Sequence, residues 1–387
     1  MRILFLADGR SPIALNWIHH WIERGEEVHL LSSFACEPPA GAASFHVVPV
    51  AFSGARRPRR GSPSAGGFLW GVQALQLRQV VRHWLGPLFL PGASRGVAQI
   101  IEDIKPDLVH AMRIPYEGML AAGAVRGVPL VVSVWGNDFT LHARSTPLMA
   151  ALTRRTMRMA SALHSDCQRD VRLAGEWGFH SGLAVLVAPG NGGVHSGIFH
   201  PPPVPAAEPV IVNPRGFRGY VRQDTFFRSV PLVLKKLPLA RFTCSSMAGE
   251  KGAIKWIERL GIADAVTLLP PVPHQRMGDI FRSAAVVVSP SVHDGTPNSL
   301  LEAMACGCFP VAGDLESLRE WITPGRNGFL INPASPEELA SAVIKSLSDA
   351  ELRQRAALKN KHIIAGRADF EHCMKQAETF YRQVLAG

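Results

Sequence analysis

Short apolar runs recur along this chain, and most are followed by a segment with helical spacing. Ile3–Ala7 ends at Asp8-Gly9, and Pro12–Arg24 then places Ile13, Trp17, Ile18, Trp21 and Ile22 on one side before Gly25 and a second apolar run, Val28–Leu31. Buried parallel strands read as continuous apolar runs, and parallel neighbours need a crossover, usually a helix. The same alternation predicts strands at Asp107–His110, Pro129–Val134, Ala162–Ser165 and Ala184–Ala188, with helices at Tyr116–Arg126 and Arg154–Ala160. It resumes with strands at Val210–Val212, Ala240–Cys244, Val266–Leu269, Ala284–Ser289, Phe309–Ala312 and Gly328–Ile331. Between these fall helices at Asp224–Leu234, Gly252–Leu260, Met277–Phe281, Pro297–Ala305, Leu315–Trp321 and Pro336–Leu347, then a polar helical tail, Glu351–Leu385. The fold class is therefore α/β, in two halves.

The run PPPVPAAEP over residues 201–209 is the best linker in the chain. It divides an N-terminal domain, 1–204, from a C-terminal domain, 205–365, with residues 366–387 as a final helical segment. Two such halves joined by a hinge predict a ligand cleft between them. With 47% hydrophobic residues, the 387-residue chain has ample material for two cores, and 35 Gly with 30 Pro argue against a bundle or long coiled coil. The net charge of +10 favours anionic partners. Six cysteines, at 36, 167, 244, 306, 308 and 373, form neither a disulfide scaffold nor a metal-ligand set. The N-terminal apolar run is too short for a signal peptide and no stretch is long enough to span a membrane, so a cytoplasmic location is expected.

The segment Ser289 to Gly307 carries the most chemistry. An apolar strand ends in a polar loop containing Asp294-Gly295, and a helix follows. Thr296 can act as N-cap, Pro297 suits the first helical position, and Asn298 and Ser299 fall in the first turn. N–H groups there can hold a phosphate. Glu302, further along the helix, suits two sugar hydroxyls, and Asp294 can face another part of the same ligand. Gly307 permits the left-handed residue that commonly ends a helix.

This order resembles the donor-binding signature of retaining glycosyltransferases of the GT-B architecture, two Rossmann-like domains facing across a cleft, and more narrowly family 4. Asp294, seven residues, Glu302 and then Ala303-Met-Ala-Cys-Gly-Cys-Phe-Pro310-Val311 follow that family's pattern, with one extra residue before Pro310. Glu320 and Gly325-Arg-Asn-Gly-Phe329 fit it downstream. The resemblance implies that Glu302 holds the nucleotide ribose, that Asp294 bonds the donor sugar, and that Gly295, Thr296, Pro297, Asn298 and Ser299 line the sugar and diphosphate. It implies a diphosphate role for Arg215, in Asn213-Pro-Arg-Gly-Phe-Arg-Gly-Tyr-Val-Arg222. A lysine that relatives carry five residues on is Tyr220 here, so Arg218 or Arg222 is the expected substitute. Gly9 resembles the N-domain loop beside the donor phosphate. Trp135-Gly-Asn-Asp138 stands where many relatives have His-Gly-x-Asp, so a histidine role does not carry over. Asp138 can orient the acceptor or nearby cations, and His110 reads as a buried strand-end residue.

The catalytic set implied is Asp294, Arg215 and Asp138, with no metal ion and no cofactor beyond the nucleotide-sugar donor. The implied reaction moves a hexose-type sugar to a glycan or lipid-linked acceptor. Arg56, Arg57, Arg59 and Arg60, with Phe68, Trp70, Trp84, Leu88 and Phe89, suit an anionic membrane face, which would put the protein on the inner surface of the cell membrane. Nucleic acid is not expected, since no nucleic-acid-binding fold accompanies the arginines. The alternatives are an epimerase or phosphorylase of the same architecture, or a sugar-nucleotide or glycan-binding protein without turnover.

Overall fold

A computed structural model describes residues 1–50, 83–204 and 208–387. The basic segment 54–66, most of the apolar stretch 68–90 and the centre of the proline linker lie outside the described residues. Backbone contacts divide the chain at Gly192–Gly193, ahead of the proline run. Unit 1 comprises Met1–Gly192 with Lys375–Gly387, and unit 2 comprises Gly193–Met374.

Unit 1 holds a seven-stranded sheet. Its strands are β1 (Arg2–Ala7), β2 (Glu27–Ser32), β3 (Ser44–Val47), β4 (Leu108–Ala111), β5 (Leu130–Val134), β6 (Ala162–Ser165) and β7 (Ala184–Val187). The order is β3-β2-β1-β4-β5-β6-β7, and every pair is parallel. Helix α1 (Pro12–Glu23) starts at the Ser11 N-cap and buries Trp17, Ile18 and Trp21. Helices α2 (Leu90–Ile104), α3 (Met119–Ala124), α4 (Pro147–Met159) and α5 (Gln168–Glu176) complete the crossovers.

The helix expected from Tyr116 is regular only from Met119. Tyr116 adopts φ 69, ψ −62, the centre of a γ-turn that breaks the helix after Pro115. Strand β3 and helices α2 and α5 are not legible in the sequence. β3 is a short edge strand with no buried residue, and α5 begins within a polar run.

Unit 2 holds a six-stranded parallel sheet. Its strands are β8 (Val210–Asn213), β9 (Arg241–Cys244), β10 (Val266–Leu268), β11 (Val286–Ser289), β12 (Phe309–Gly313) and β13 (Phe329–Ile331), in the order β10-β9-β8-β11-β12-β13. Its helices are α6 (Gln223–Leu234), α7 (Lys251–Leu260), α8 (His274–Arg282), α9 (Asn298–Ala305), α10 (Glu316–Arg319), α11 (Pro336–Ser348) and α12 (Ala350–Arg367). The polar tail, expected as one helical stretch, breaks between α12 and α13 (Phe370–Ala386). The break has a main-chain cause: Val194 N–H donates to Ala368 O at 2.7 Å, and Phe370 N–H donates to Val194 O at 3.0 Å.

In both sheets the strand order reverses direction once, between β1 and β4 and between β8 and β11. Loops at the carboxyl ends diverge at such a point and leave a crevice. That rule locates the chemistry in each unit.

The motif Gly325-Arg-Asn-Gly has a structural task. Asn327 is fully buried; its Oδ1 accepts from Thr323 N–H at 2.7 Å, and its Nδ2 donates to Trp321 O at 2.9 Å and Asn360 Oδ1 at 2.8 Å. Asn360 Nδ2 donates back to Asn327 O at 3.1 Å. We expect Asn327→Ala to cost unit 2 about 2–3 kcal/mol, because it orphans several buried groups at once. A urea titration would read this, and a change below about 0.5 kcal/mol would refute it.

Candidate functional site

In unit 2 the crevice between β8 and β11 gathers most of the residues singled out above. Gln223, the first residue of α6, steers the loop after β8 by accepting from Asn213 Nδ2 at 2.8 Å and donating to Gly216 O at 2.5 Å. Arg222 N–H donates to Pro290 O, and Val292 N–H to Tyr220 O, each at 2.9 Å, so this loop lies on the one after β11. Arg215 therefore meets Asp294, with its guanidinium donating to Asp294 Oδ2 at 2.7 Å. Both side chains are largely buried.

Around that pair, several buried polar atoms have no hydrogen-bond partner: Arg215 Nε, Ser289 Oγ, Ser291 Oγ, Asn298 Oδ1 and Ser299 Oγ. Each such group costs about 1–3 kcal/mol unless something satisfies it. They fall at the carboxyl end of β11, in the loop after β8 and at the start of α9, where a polar ligand would satisfy them. The N–H groups of Asn298 and Ser299 lie in the first turn of α9, where a helix leaves N–H groups without main-chain acceptors.

The start of α9 differs from the expectation. The helix begins at Asn298, Pro297 occupies the cap position, and no side chain caps it. The Thr296 hydroxyl accepts from Trp321 Nε1 at 2.9 Å. Gly295, Thr296 and Pro297 are buried and shape the loop. Glu302 is buried on α9, where its Oε1 meets Nε2 of His274 at 2.8 Å. Gly307 ends the helix region with φ 90, as its position suggested.

The two substitutes for the missing lysine fare differently. Arg222 makes a two-bond pair with Asp224, at 2.8 and 2.7 Å, and that carboxylate occupies its fork. Arg218 is exposed and donates to the Tyr220 hydroxyl at 2.9 Å. The structure thus joins Arg215 to Asp294, four residues ahead of Asn298, and pairs Arg222 with Asp224.

In unit 1 the crevice between β1 and β4 is a cavity of about 240 Å³, lined by Asp8, Arg10, Arg113, Tyr116, Trp135 and His142 among others. Asp138 is wholly buried beside this cavity. It accepts from Arg113 Nε at 3.0 Å, Ile114 N–H at 3.2 Å and Trp135 N–H at 3.3 Å. Burial pushes its carboxyl above the usual range, with Arg113 opposing. Through these bonds Asp138 holds Arg113, which lines the cavity. Gly9 donates its N–H to Ser32 Oγ at 3.0 Å, and a Cβ there would sit 2.5 Å from Cys36 Sγ, so its place is tightly packed. Its N–H is not offered to a phosphate.

Sequence reading passed over Arg113 and His274. Arg113 stands just beyond a parallel strand, where ligand residues concentrate. His274 follows Pro270-Pro-Val-Pro273, which masks the helix start.

His110 is buried, as read from sequence, within a relay in unit 1. Trp17 Nε1 donates to the Tyr381 hydroxyl at 3.1 Å, and that hydroxyl donates to His110 Nδ1. His110 Nε2 donates to Ser133 Oγ, and Ser133 Oγ donates to His164 Nδ1, each at 2.8 Å; His164 Nε2 donates to Ala188 O at 3.1 Å. With both imidazoles neutral, this is the one assignment that gives every donor an acceptor.

Among the described residues, Asp166, Cys167 and Asp170 form a tight group of metal-ligand types. Arg169 holds Asp170 with two bonds of 2.8 and 2.9 Å, and burial pushes the Cys167 thiol up. One carboxylate of the group is thus already held by an arginine.

Residues 9–190 match the family described as a glycosyl transferase 4-like domain, and residues 208–349 match that of glycosyl transferases group 1. The chain belongs to the group 1, family 4-like glycosyltransferases. A D-inositol 3-phosphate glycosyltransferase of Streptomyces griseus is 33% identical over 142 residues, which is 34% of this chain and 30% of that protein. The chain therefore spans about a third of the length of that curated relative. A relative of the same name from Nocardiopsis dassonvillei is 27% identical over 299 residues, 70% of this chain and 68% of its own. Among solved structures, a sucrose-phosphate synthase from Thermosynechococcus elongatus matches with a TM-score of 0.74 at 14% identity, covering all of both chains. The Anabaena protein HepE in complex with UDP-glucose matches with a TM-score of 0.71 at 19% identity, over 99% of this chain and all of that one. Likeness at these identities is one of fold, and the fold is GT-B. The family likeness over 208–349 contains the whole Arg215–Asp294–Glu302 constellation.

Proposed function

We propose that the chain transfers a hexose-type sugar, with retention of configuration, from a nucleotide-sugar donor bound by unit 2 to an acceptor received by unit 1. The observation that carries this reading is the set of unsatisfied polar atoms around Arg215, Asp294, Asn298 and Ser299. A diphosphate supplies acceptors for Arg215 Nε and for the N–H groups at the head of α9. Hydroxyls of the sugar suit Asp294, and the ribose suits Glu302, whose Oε1 alone is engaged by His274.

In the proposed reaction the acceptor hydroxyl oxygen forms a bond to the anomeric carbon on the face the phosphate leaves. The bond from that carbon to the phosphate oxygen breaks, and the same oxygen takes the acceptor's proton. Arg215 compensates the charge that grows on the leaving diphosphate, in the place where other enzymes use a metal ion. Asp138, through Arg113, fixes one wall of the unit 1 cavity.

A glycan or lipid-linked acceptor is part of the proposal, as is contact with the inner face of a membrane. Trp84, Leu88 and Phe89 are all more than half exposed, and Arg95, Arg126 and Arg155 line the cavity beside Leu88. Apolar side chains next to arginines suit an anionic lipid surface. No helix among the described residues is long and apolar enough to cross a membrane.

A thermal-shift and calorimetric screen against UDP, GDP, ADP and their common sugars, with and without Mg²⁺, tests the donor site. One nucleotide family should stabilise the protein, equally well in the presence of a chelator, and Glu302→Ala should weaken its binding about tenfold or more. Stabilisation by none of them would overturn the reading. Binding without transfer would favour a sugar-nucleotide-binding protein that lacks turnover.

A further inference from the structure

The ribose grip proposed above has a titratable second half that the family signature does not contain. His274 opens α8 and is half exposed, while its partner Glu302 is buried. An imidazole nitrogen 2.8 Å from a carboxylate oxygen must carry the hydrogen, so His274 Nε2 donates to Glu302 Oε1. The other side of the ring leans on Phe199, with ring centroids 5.0 Å apart. Among the described residues Glu302 makes no other side-chain hydrogen bond, so Oε2 is left for a ligand.

We propose that His274 is a positioning residue that couples donor binding to proton uptake: its imidazolium fixes Glu302 for the ribose, and the donor binds tightly only while His274 keeps its second proton. This rests on the donor reading above.

The surroundings of His274 support the coupling. Glu302 faces it from α9 and raises its titration above the usual histidine value, against the opposing effect of partial burial. His195 also acts there; burial and the nearby charge of His274 lower its titration, against the raising effects of Glu302, Glu371 and Asp369. On the same helix Arg276 and Arg282 are both paired to Asp279, at 3.2 and 2.6 Å. A ribose laid over Glu302 excludes water from the pair and strengthens its charge-assisted bond. The bound state then holds the proton more tightly than the free state. Affinity is therefore full below the free-state titration of His274 and falls as pH rises through it, levelling off above the bound-state value.

Two measurements test this. In the free protein, NMR titration of histidine-labelled chain should give His274 a midpoint above the ordinary value, falling in Glu302→Gln. An ordinary midpoint in the wild type overturns the proposal before any ligand is added.

The second measurement is calorimetry with UDP-glucose, GDP-mannose and ADP-glucose from about pH 6 to about pH 8.5, in two buffers of different ionisation heat. Their diphosphate diesters do not titrate in that range. The nucleotide sugar that binds should take up part of a proton, and its Kd should rise about tenfold towards high pH. His274→Asn should abolish both the uptake and the slope, and His274→Lys should restore tight binding at high pH without a slope. If His274 merely packs, the Asn variant binds more weakly but keeps the wild-type slope, and the proposal falls. Binding by the wild type with a flat Kd overturns the coupling and leaves the donor site standing. Failure of all three nucleotide sugars to bind, with the His274 midpoint still raised, overturns the donor reading and this inference with it.

Discussion

Arg215→Ala should lower kcat/KM by about 10²–10³-fold, the usual effect of removing one preorganised group that meets charge developing in the transition state. Two losses combine. The leaving diphosphate loses its cation, and Asp294, which holds Arg215 at 2.7 Å, remains as a partly buried carboxylate facing an incoming anion. They can be separated. Asp294→Asn added to Arg215→Ala removes the stranded charge and should recover part of the nucleotide affinity, but not the turnover. Arg215→Lys keeps a charge without the planar fork and should fall between wild type and alanine. Steady-state kinetics with the nucleotide sugar found in the binding screen would decide the matter. An alanine variant within about threefold of wild type would remove Arg215 from the chemistry.

The second large effect concerns unit 1. Burial depresses both histidines of the relay, His164 to about 4 and His110 well below its usual value. They are neutral in the fold, and the unfolded chain protonates them below about pH 6.5. Unfolding then binds protons, so stability is lost as pH falls from about 6.5 towards 4. His164 alone accounts for about 2 kcal/mol by pH 5, and His110 adds in the same direction. A proton on either ring also places two donors face to face in a chain that has no spare acceptor. Tyr381→Phe attacks the same chain at neutral pH. It strands Trp17 Nε1 and His110 Nδ1, both buried, at a cost of about 2–4 kcal/mol. Urea unfolding at pH 7 and pH 5, followed by amide exchange in β4 and β5, would show both effects. A Tyr381→Phe protein within about 0.5 kcal/mol of wild type would refute the account.

The parallel strands other than β3 were legible because each is an apolar run closed by a breaker. The donor-site segment was legible for a related reason: strand, polar loop and helix start are adjacent in sequence, so Asp294 and Glu302 fall into place together. What could not be read is whatever needs a partner distant in the chain. Nothing near Asp138 shows that Arg113 and two main-chain N–H groups will enclose it. Nothing near Gly9 shows that Cys36 and Ser32 will pack against it. The γ-turn at Tyr116 leaves no trace in periodicity, and neither does the pairing of His274 with Glu302.

The bond between Arg215 and Asp294 bears on what the proposed site can discriminate. A cation already partly neutralised by a carboxylate is poor bait for stray anions: inorganic phosphate that reaches Arg215 Nε also meets the charge of Asp294. A nucleotide sugar brings a replacement for each partner, an anion for the arginine and hydroxyls for the aspartate, so the exchange is balanced. After transfer the sugar is gone and only the anion remains. Asp294 then competes again for its arginine, and the spent nucleotide is pushed towards release. The same two residues that admit the intact donor would thereby limit inhibition by the product.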